Sequence, residues 1–453
     1  MGRIAGRFIF PHPPIMVEAV GKGEAKKVQD TIDAANEAAR RIKELRPDTV
    51  ILITPHAALF RDAMCITADE RLEGSLERFG APQVRLELDN DLELVDRIVE
   101  EAEAKGVYCV PMNEDVKSTY GVDKGLDHGT IVPLNFVAGE YRDFRLVHIN
   151  YSLLTRDQHY KFGIAIRAAV SSVDRSVVVI ASSDLSHRLT KDAPAGYNEK
   201  GKDFDRKYVE CIKNGDTGEF LAMSPEFLEA AGECGYNSTL VLLGTLDKCK
   251  ARADILSYEG PFGVGYCIAQ VFEEGCGEKT MKKSDDPLVK LAVETLESYV
   301  REGRKEELPA DLPEEMLKTR AGVFVSLKKY GELRGCIGTI KPTTGSIAEE
   351  IMQNAISAGT EDPRFEPVTA DELDDITYSV DVLGKPEPVT SKAELDVKHY
   401  GVIVRSGHKT GLLLPNLEGV DTVEEQLDIV LRKAGIGSRE NYTMERFEVV
   451  RHY

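Results

Sequence analysis

Three histidines stand at the same kind of place in this 453-residue chain. His12 follows the strand-like run RFIF in FPHPP, His56 follows VILIT in TPHAALF, and His187 follows VVVIASS in DLSHR. Ligands of open α/β sheets bind beyond the carboxyl ends of the strands, so side chains leaving three strand ends can converge across separations of 44 and 131 residues. His128, in GLDHGT, lies in a glycine-flanked loop before the apolar run IVPLNF, and Glu233 and Cys234 in GECGYN open another apolar segment. Such loops often carry binding residues. Neutral imidazoles with a carboxylate suit a divalent transition metal, and two His with one carboxylate leave coordination positions open, as in non-haem Fe(II) oxygenases. Taken singly, each His is better explained as a cap, a satisfied core group or a surface residue. Three repetitions of one placement favour a metal site, although no H-x-x-x-H or C-x-x-C pair ties the ligands to one element.

The elements that must position these residues can be read from periodicity. Over the first 275 residues short β-branched runs (DTVILIT, FRLVHINY, SVVVIASS) alternate with amphipathic stretches (KKVQDTIDAANEAARRIKEL, FGIAIRAAVSSV). This alternation predicts an α/β domain with a central mixed sheet flanked by helices, closed by the strand pair of ADILSYEGPFGVGYCIAQVF. Residues 276–286 are small and charged, and we read them as a linker before a second domain over 287–453. There PLVKLAVETLESYVREGR predicts a helix, AGVFVSLKKYGELRGCIGTI a hairpin turning at Tyr330-Gly331, and SIAEEIMQNAISAG another helix, an α+β mixture.

Composition narrows the partners. The 57 basic and 77 acidic residues give −20, and the deficit is shared: 34 against 45 over 1–280 and 23 against 32 over 281–453. A negative field on both parts argues against broad contact with nucleic acid or anionic lipid. No apolar run is long enough to span a bilayer, and prolines interrupt MGRIAGRFIFPHPP where a signal peptide needs an apolar stretch, so a cytoplasmic protein is expected. Eight scattered Cys without C-x-x-C spacing are expected to be mostly free thiols. A homo-oligomer stays open.

FPHPP, TPHAALF, GLDHGT, SSDLSH, ECGYNS and EGPFGVGY together resemble the class III extradiol ring-cleavage dioxygenases of the protocatechuate type and their non-catabolic Memo relatives, over nearly all of 1–275. The resemblance implies Fe(II) held by His12, His56 and Glu233, with His187 as acid/base and His128 beside a small aromatic substrate. In the Memo relatives a Cys takes the third protein-ligand position, which makes Cys234 the alternative and keeps Zn(II) open as the metal. Asp184, three residues before His187, serves either to accept that ring's second N–H or to cap the next segment. The implied activity is oxidation of a catecholic ring. The alternative is a non-catalytic metal-binding module that takes a peptide ligand.

From about residue 283 onward, LRGCIGTI, SAGTEDPRFEPV, YSVDVLGKPEPV and YGVIVRSGHKTGLLLP resemble the AMMECR family. Arg334 offers a guanidinium fork and Cys336, between glycines, a thiol, which would suit an anion or a carbonyl ligand. A plain hairpin rim explains the same residues. The two resemblances together imply a radical-SAM partner protein, as the two domains are encoded beside one in prokaryotes.

Overall fold

The computed structural model describes residues 2–122, 125–276, 284–309, 312–329, 332–370, 372–417, 420–437 and 440–453. The chain divides into two compact units, Met1–Lys279 and Thr280–Tyr453. Most of the segment read as a linker, and the Tyr330-Gly331 turn, lie outside the described residues.

Among the described residues ten strands lie in the first unit: β1 (Arg3–Phe10), β2 (Thr49–Thr54), β3 (Met64–Thr67), β4 (Arg71–Leu76), β5 (Ala81–Asp89), β6 (Cys109–Met112), β7 (Arg145–Asn150), β8 (Ser176–Ser182), β9 (Cys249–Glu259) and β10 (Tyr266–Cys276). Eight form one mixed sheet in the order β6-β3-β7-β2-β8-β1-β10-β9, while β4 and β5 make a separate hairpin. The centre is parallel: β2 pairs with β7 and β8, and β8 with β1. Both faces of this centre are covered, which is why β2 is buried along its whole length and reads as the unbroken run TVILIT. On one face Phe8, Phe10, Val50, Leu52, Val178 and Ile180 pack against Ala35, Ala38 and Ile42 of the helix Gln29–Leu45 and Ile131 and Leu134 of the helix His128–Glu140. The helices Arg156–Ser172 and Tyr236–Gly244 meet through Gly163 and Gly244, where a Cβ on Gly163 would come within 2.1 Å of the Val241 carbonyl. Since β1, β2 and β8 run parallel as neighbours, their carboxyl ends open on one edge, and the segments carrying His12, His56 and His187 all leave from it.

The second unit carries β11 (Val323–Lys329), β12 (Glu332–Gly338), β13 (Ile376–Leu383), β14 (Glu387–Val389), β15 (Gly401–Ser406), β16 (Lys409–Leu413), β17 (Thr443–Phe447) and β18 (Val449–His452). They form two antiparallel sheets, β12-β11-β13-β18 and β14-β17-β15-β16. Val323, Val325 and Leu327 face a core shared with the helices Pro287–Glu302 and Ile347–Thr360. Pro287 opens the first of these helices behind the Asp286 cap, whose carboxylate accepts from the Leu288 N–H at 2.9 Å. The second sheet packs on the helix Val423–Ala434. This is the α+β arrangement that the mixed periodicity predicts.

Candidate metal centre

The strand exits bring imidazoles together. One ring nitrogen from each of His12, His56 and His128 lies within 4.8 Å of the other two. His12 Nε2 and His56 Nε2 are 2.9 Å apart, and the His56 and His128 rings stack with centroids 4.4 Å apart. His128 opens its helix, so its ring sits where the chain turns in from the loop.

The proton on His12 can be assigned from its neighbours. Ser182 Oγ donates its single hydrogen to the Gly129 carbonyl at 2.5 Å, so toward His12 Nδ1, 2.8 Å away, it can only accept. Nδ1 therefore carries the hydrogen and Nε2 turns its lone pair toward His56, the tautomer a metal ligand needs. Burial, reinforced by the neighbouring imidazoles, holds the His12 pKa well below its usual range. Desolvation and His128 bring His56 to about 4, and burial lowers His128. At neutral pH these rings are uncharged, and each turns one ring nitrogen into a shared space. That donor set fits a divalent transition metal such as Fe(II) or Zn(II).

Around the rings stand the other residues singled out above. Cys234 Sγ lies 3.6 Å from His12 Nε2 and 4.0 Å from His187 Nε2. The Glu233 carboxylate instead accepts from the Tyr236 N–H at 2.6 Å, at the start of the helix Tyr236–Gly244. Of the two alternatives for a third ligand, it is the thiol that faces the imidazoles. Burial, with Asp184 and Glu233 nearby, pushes the Cys234 thiol well above its usual range, and burial raises Glu233 to about 7. Asp184, expected to orient His187 or cap the next segment, is turned to His12: Oδ1 accepts the His12 N–H at 2.8 Å, and Oδ2 lies 3.7 Å from its Nε2. Its pKa rises to about 7 through burial. Burial also lowers His187.

A layer behind the rings has no signature in the sequence. Although burial raises its pKa, Asp127 ends well below the carboxylate range, because His148 donates to it at 3.2 Å and Thr54 and Thr130 at 2.7 and 3.0 Å. His148 Nδ1 in turn meets Thr67 Oγ1 at 2.8 Å. This network fixes the turn from which His128 projects. It closes on Gly129, where a Cβ would meet Thr54 Oγ1 at 2.5 Å and Asp127 Oδ1 at 2.7 Å. His148 sits inside a strand and reads as an ordinary core residue. Only the adjacency of β7 and β2 shows its use. His159, by contrast, is a core histidine bonded to the Thr155 carbonyl at 2.9 Å.

The LRGCIG segment of the second unit is satisfied within the protein. Arg334 donates Nε and Nη2 to Glu372 at 3.1 and 2.8 Å, and Nη1 to the Glu366 carbonyl at 2.9 Å. Lys329 joins the same carboxylate at 3.1 Å. The guanidinium read as an anion fork is thus spent on holding the hairpin to the 366–372 segment. Cys336 accepts from Ser326 Oγ at 3.2 Å, and its N–H goes to Asp362, which Arg364 also grips. Burial is the main cause of a raised Cys336 pKa, the opposite of an activated nucleophile.

Comparison with known proteins agrees with this division. Residues 6–269 match the model of the catalytic LigB subunit of aromatic ring-opening dioxygenase, and residues 289–452 match AMMECR1. Protein CA_C1420 of Clostridium acetobutylicum is 45% identical over 462 residues, covering 99% of this chain and 98% of its own. A Thermotoga maritima protein is 53% identical over 171 residues, 36% of this chain and 98% of its own. Among solved structures, the uncharacterized protein PH0010 of Pyrococcus horikoshii is 34% identical, with a TM-score of 0.34 over 36% of this chain and 88% of its own. The chain therefore belongs to the LigB family of aromatic ring-opening dioxygenase subunits, carrying an AMMECR1 domain as its second part.

Proposed function

We propose that the first unit is a non-haem Fe(II) dioxygenase-like oxidoreductase acting on a catecholic or related aromatic substrate. The observation that carries this reading is the convergence of His12, His56 and His128 at the carboxyl edge of a parallel sheet, in a chain of the LigB family. His12 and His56, with Cys234 beside them, would hold the ion. When bound, Fe(II) supplies the redox chemistry by which dioxygen opens an aromatic diol ring.

The chain's own residues do the rest. His187, whose Nε2 lies 4.0 Å from the Cys234 sulfur, would take a proton from a substrate hydroxyl and return it later. Its lowered pKa keeps the ring in the accepting form at neutral pH. Phe79, tilted against His128 with centroids 5.2 Å apart, gives an apolar wall for an aromatic ligand. Asp184 fixes the backbone of His12 and so the aim of its Nε2.

The test is anaerobic reconstitution with Fe(II), then a catechol panel followed by oxygen uptake. We expect turnover of at least one diol, reduced at least about 10²-fold in His187→Ala with metal content unchanged. Stoichiometric metal without turnover on any diol would favour the second reading: a metal-binding regulatory or assembly module, working with a radical-SAM partner, that takes a peptide in the same pocket. The thiol of Cys234 at the position where a ring-cleavage enzyme has a carboxylate favours that alternative.

A further inference from the structure

Away from the histidines, Cys249 and Cys276 form a disulfide across the open end of the β9–β10 hairpin. A register shift between Glu273 and Gly275 sets Cys276 opposite Cys249. The surroundings of this bond suit its reduced form better than its oxidised one. The Arg167 guanidinium straddles both sulfurs, with Nη1 2.9 Å from Cys249 Sγ and Nη2 3.2 Å from Cys276 Sγ. Glu273 Oε1 lies 2.9 Å from Cys276 Sγ, while its other oxygen takes Arg7 Nη2 at 3.1 Å.

A disulfide has no proton to give a carboxylate and is a weak acceptor for a guanidinium. A dithiol uses both groups, with Arg167 against a Cys249 thiolate and Glu273 accepting the S–H of Cys276. Access is asymmetric in the same sense, since Cys276 is exposed and Cys249 is buried.

We propose that Cys249 and Cys276 are a reversible thiol–disulfide exchange site for a low-molecular-weight thiol, with Arg167 as the group that stabilises the leaving thiolate. A glutathione thiolate attacks the exposed Cys276 sulfur. The S–S bond breaks and its electron pair leaves on Cys249, beside Arg167. A second glutathione thiolate opens the mixed disulfide at Cys276, releasing oxidised glutathione, and Cys276 takes a proton and rests against Glu273. Two glutathione thiols are consumed for one disulfide, one proton is released to solvent, and the protein ends as one thiolate and one thiol. Departure is faster for a thiol of lower pKa, which is the part Arg167 plays.

The experiment equilibrates the full chain in glutathione buffers of graded ratio, approached from both the reduced and the oxidised side, then quenches, alkylates and maps Cys249 and Cys276 by mass spectrometry. The two cysteines are expected to titrate together and reversibly. Arg167→Gln is expected to shift the midpoint ratio about tenfold toward the disulfide and to raise the pH at which Cys249 alkylates by about one unit, with Arg167→Lys between the two. A bond that survives every ratio in the folded chain would make it a plain structural bridge and overturn the proposal. Thiols that never pair would overturn it too, as would zinc that binds the reduced pair with Glu273 and shields both from alkylation.

Discussion

Two clusters in this protein gather several polar side chains at the end of a strand, and they do so in opposite ways. At the carboxyl edge of the first unit's sheet, groups of one kind meet: neutral imidazoles whose ring nitrogens face each other. In the second unit, groups of opposite kind meet: Arg334 and Lys329 close on Glu372, and Arg364 closes on Asp362. A cluster of opposites is complete without a ligand. A cluster of like donors has no opposite charge to complete it until a cation arrives, and that difference separates a site from a fastening.

Breaking the fastening should give the larger stability effect. Glu372→Ala leaves Lys329 and Arg334, both largely buried, without their shared carboxylate, and we expect a loss of about 3 kcal/mol confined to the second unit. Hydrogen exchange of the β11 and β13 amides would register it, while metal content stays the same.

Removing the support behind the imidazoles should act on the other cluster. Asp127→Asn, which weakens the hold on His148, Thr54 and Thr130, is expected to lower metal affinity about 10- to 100-fold with the fold retained. Competition with a chelator would measure it.

The fastening should also show in acid. Against burial, which raises it, Glu372 is brought to about 2 by Arg334 and Lys329, and Glu350 to about 2 by the hydroxyls of Thr339, Thr344 and Thr343. A carboxylate lowered in the fold contributes stability above its unfolded pKa and loses it as pH falls through the folded value. The second unit should therefore lose stability between about pH 4.5 and about 2, with a shallower slope in Glu372→Gln.

The smallest effect belongs to Cys336→Ser, expected to cost less than about 1 kcal/mol, because the replacement hydroxyl can keep the Ser326 contact. A large loss there would reopen the thiol as a functional group.

These contrasts explain what was legible in the sequence. The strand exits were, because FIF, VILIT and VVVIAS announce buried parallel strands and a histidine follows each within two to five residues. The glycine-flanked loops offered His128 and the ECGYNS segment, and the motifs of the ring-cleavage family gave them roles. The choice between Glu233 and Cys234 was not legible, since it turns on which of two adjacent side chains points to His12 and which caps a helix. Asp127 with His148, and Arg334 with Glu372, were hidden because each pairing depends on strands or loops brought together by the fold, 21 and 38 residues apart in the chain. The four-residue strands β3 and β6 are too short to show a period.

The central claim is that His12 and His56 share one ion, and metal analysis of full-length protein purified without a chelating tag addresses it most directly. We expect about one transition-metal ion per chain in the unaltered protein, and almost none in His12→Ala or His56→Ala when both variants remain folded. Full metal content in either variant, or no uptake of Fe(II) or Zn(II) by the unaltered chain, would contradict it.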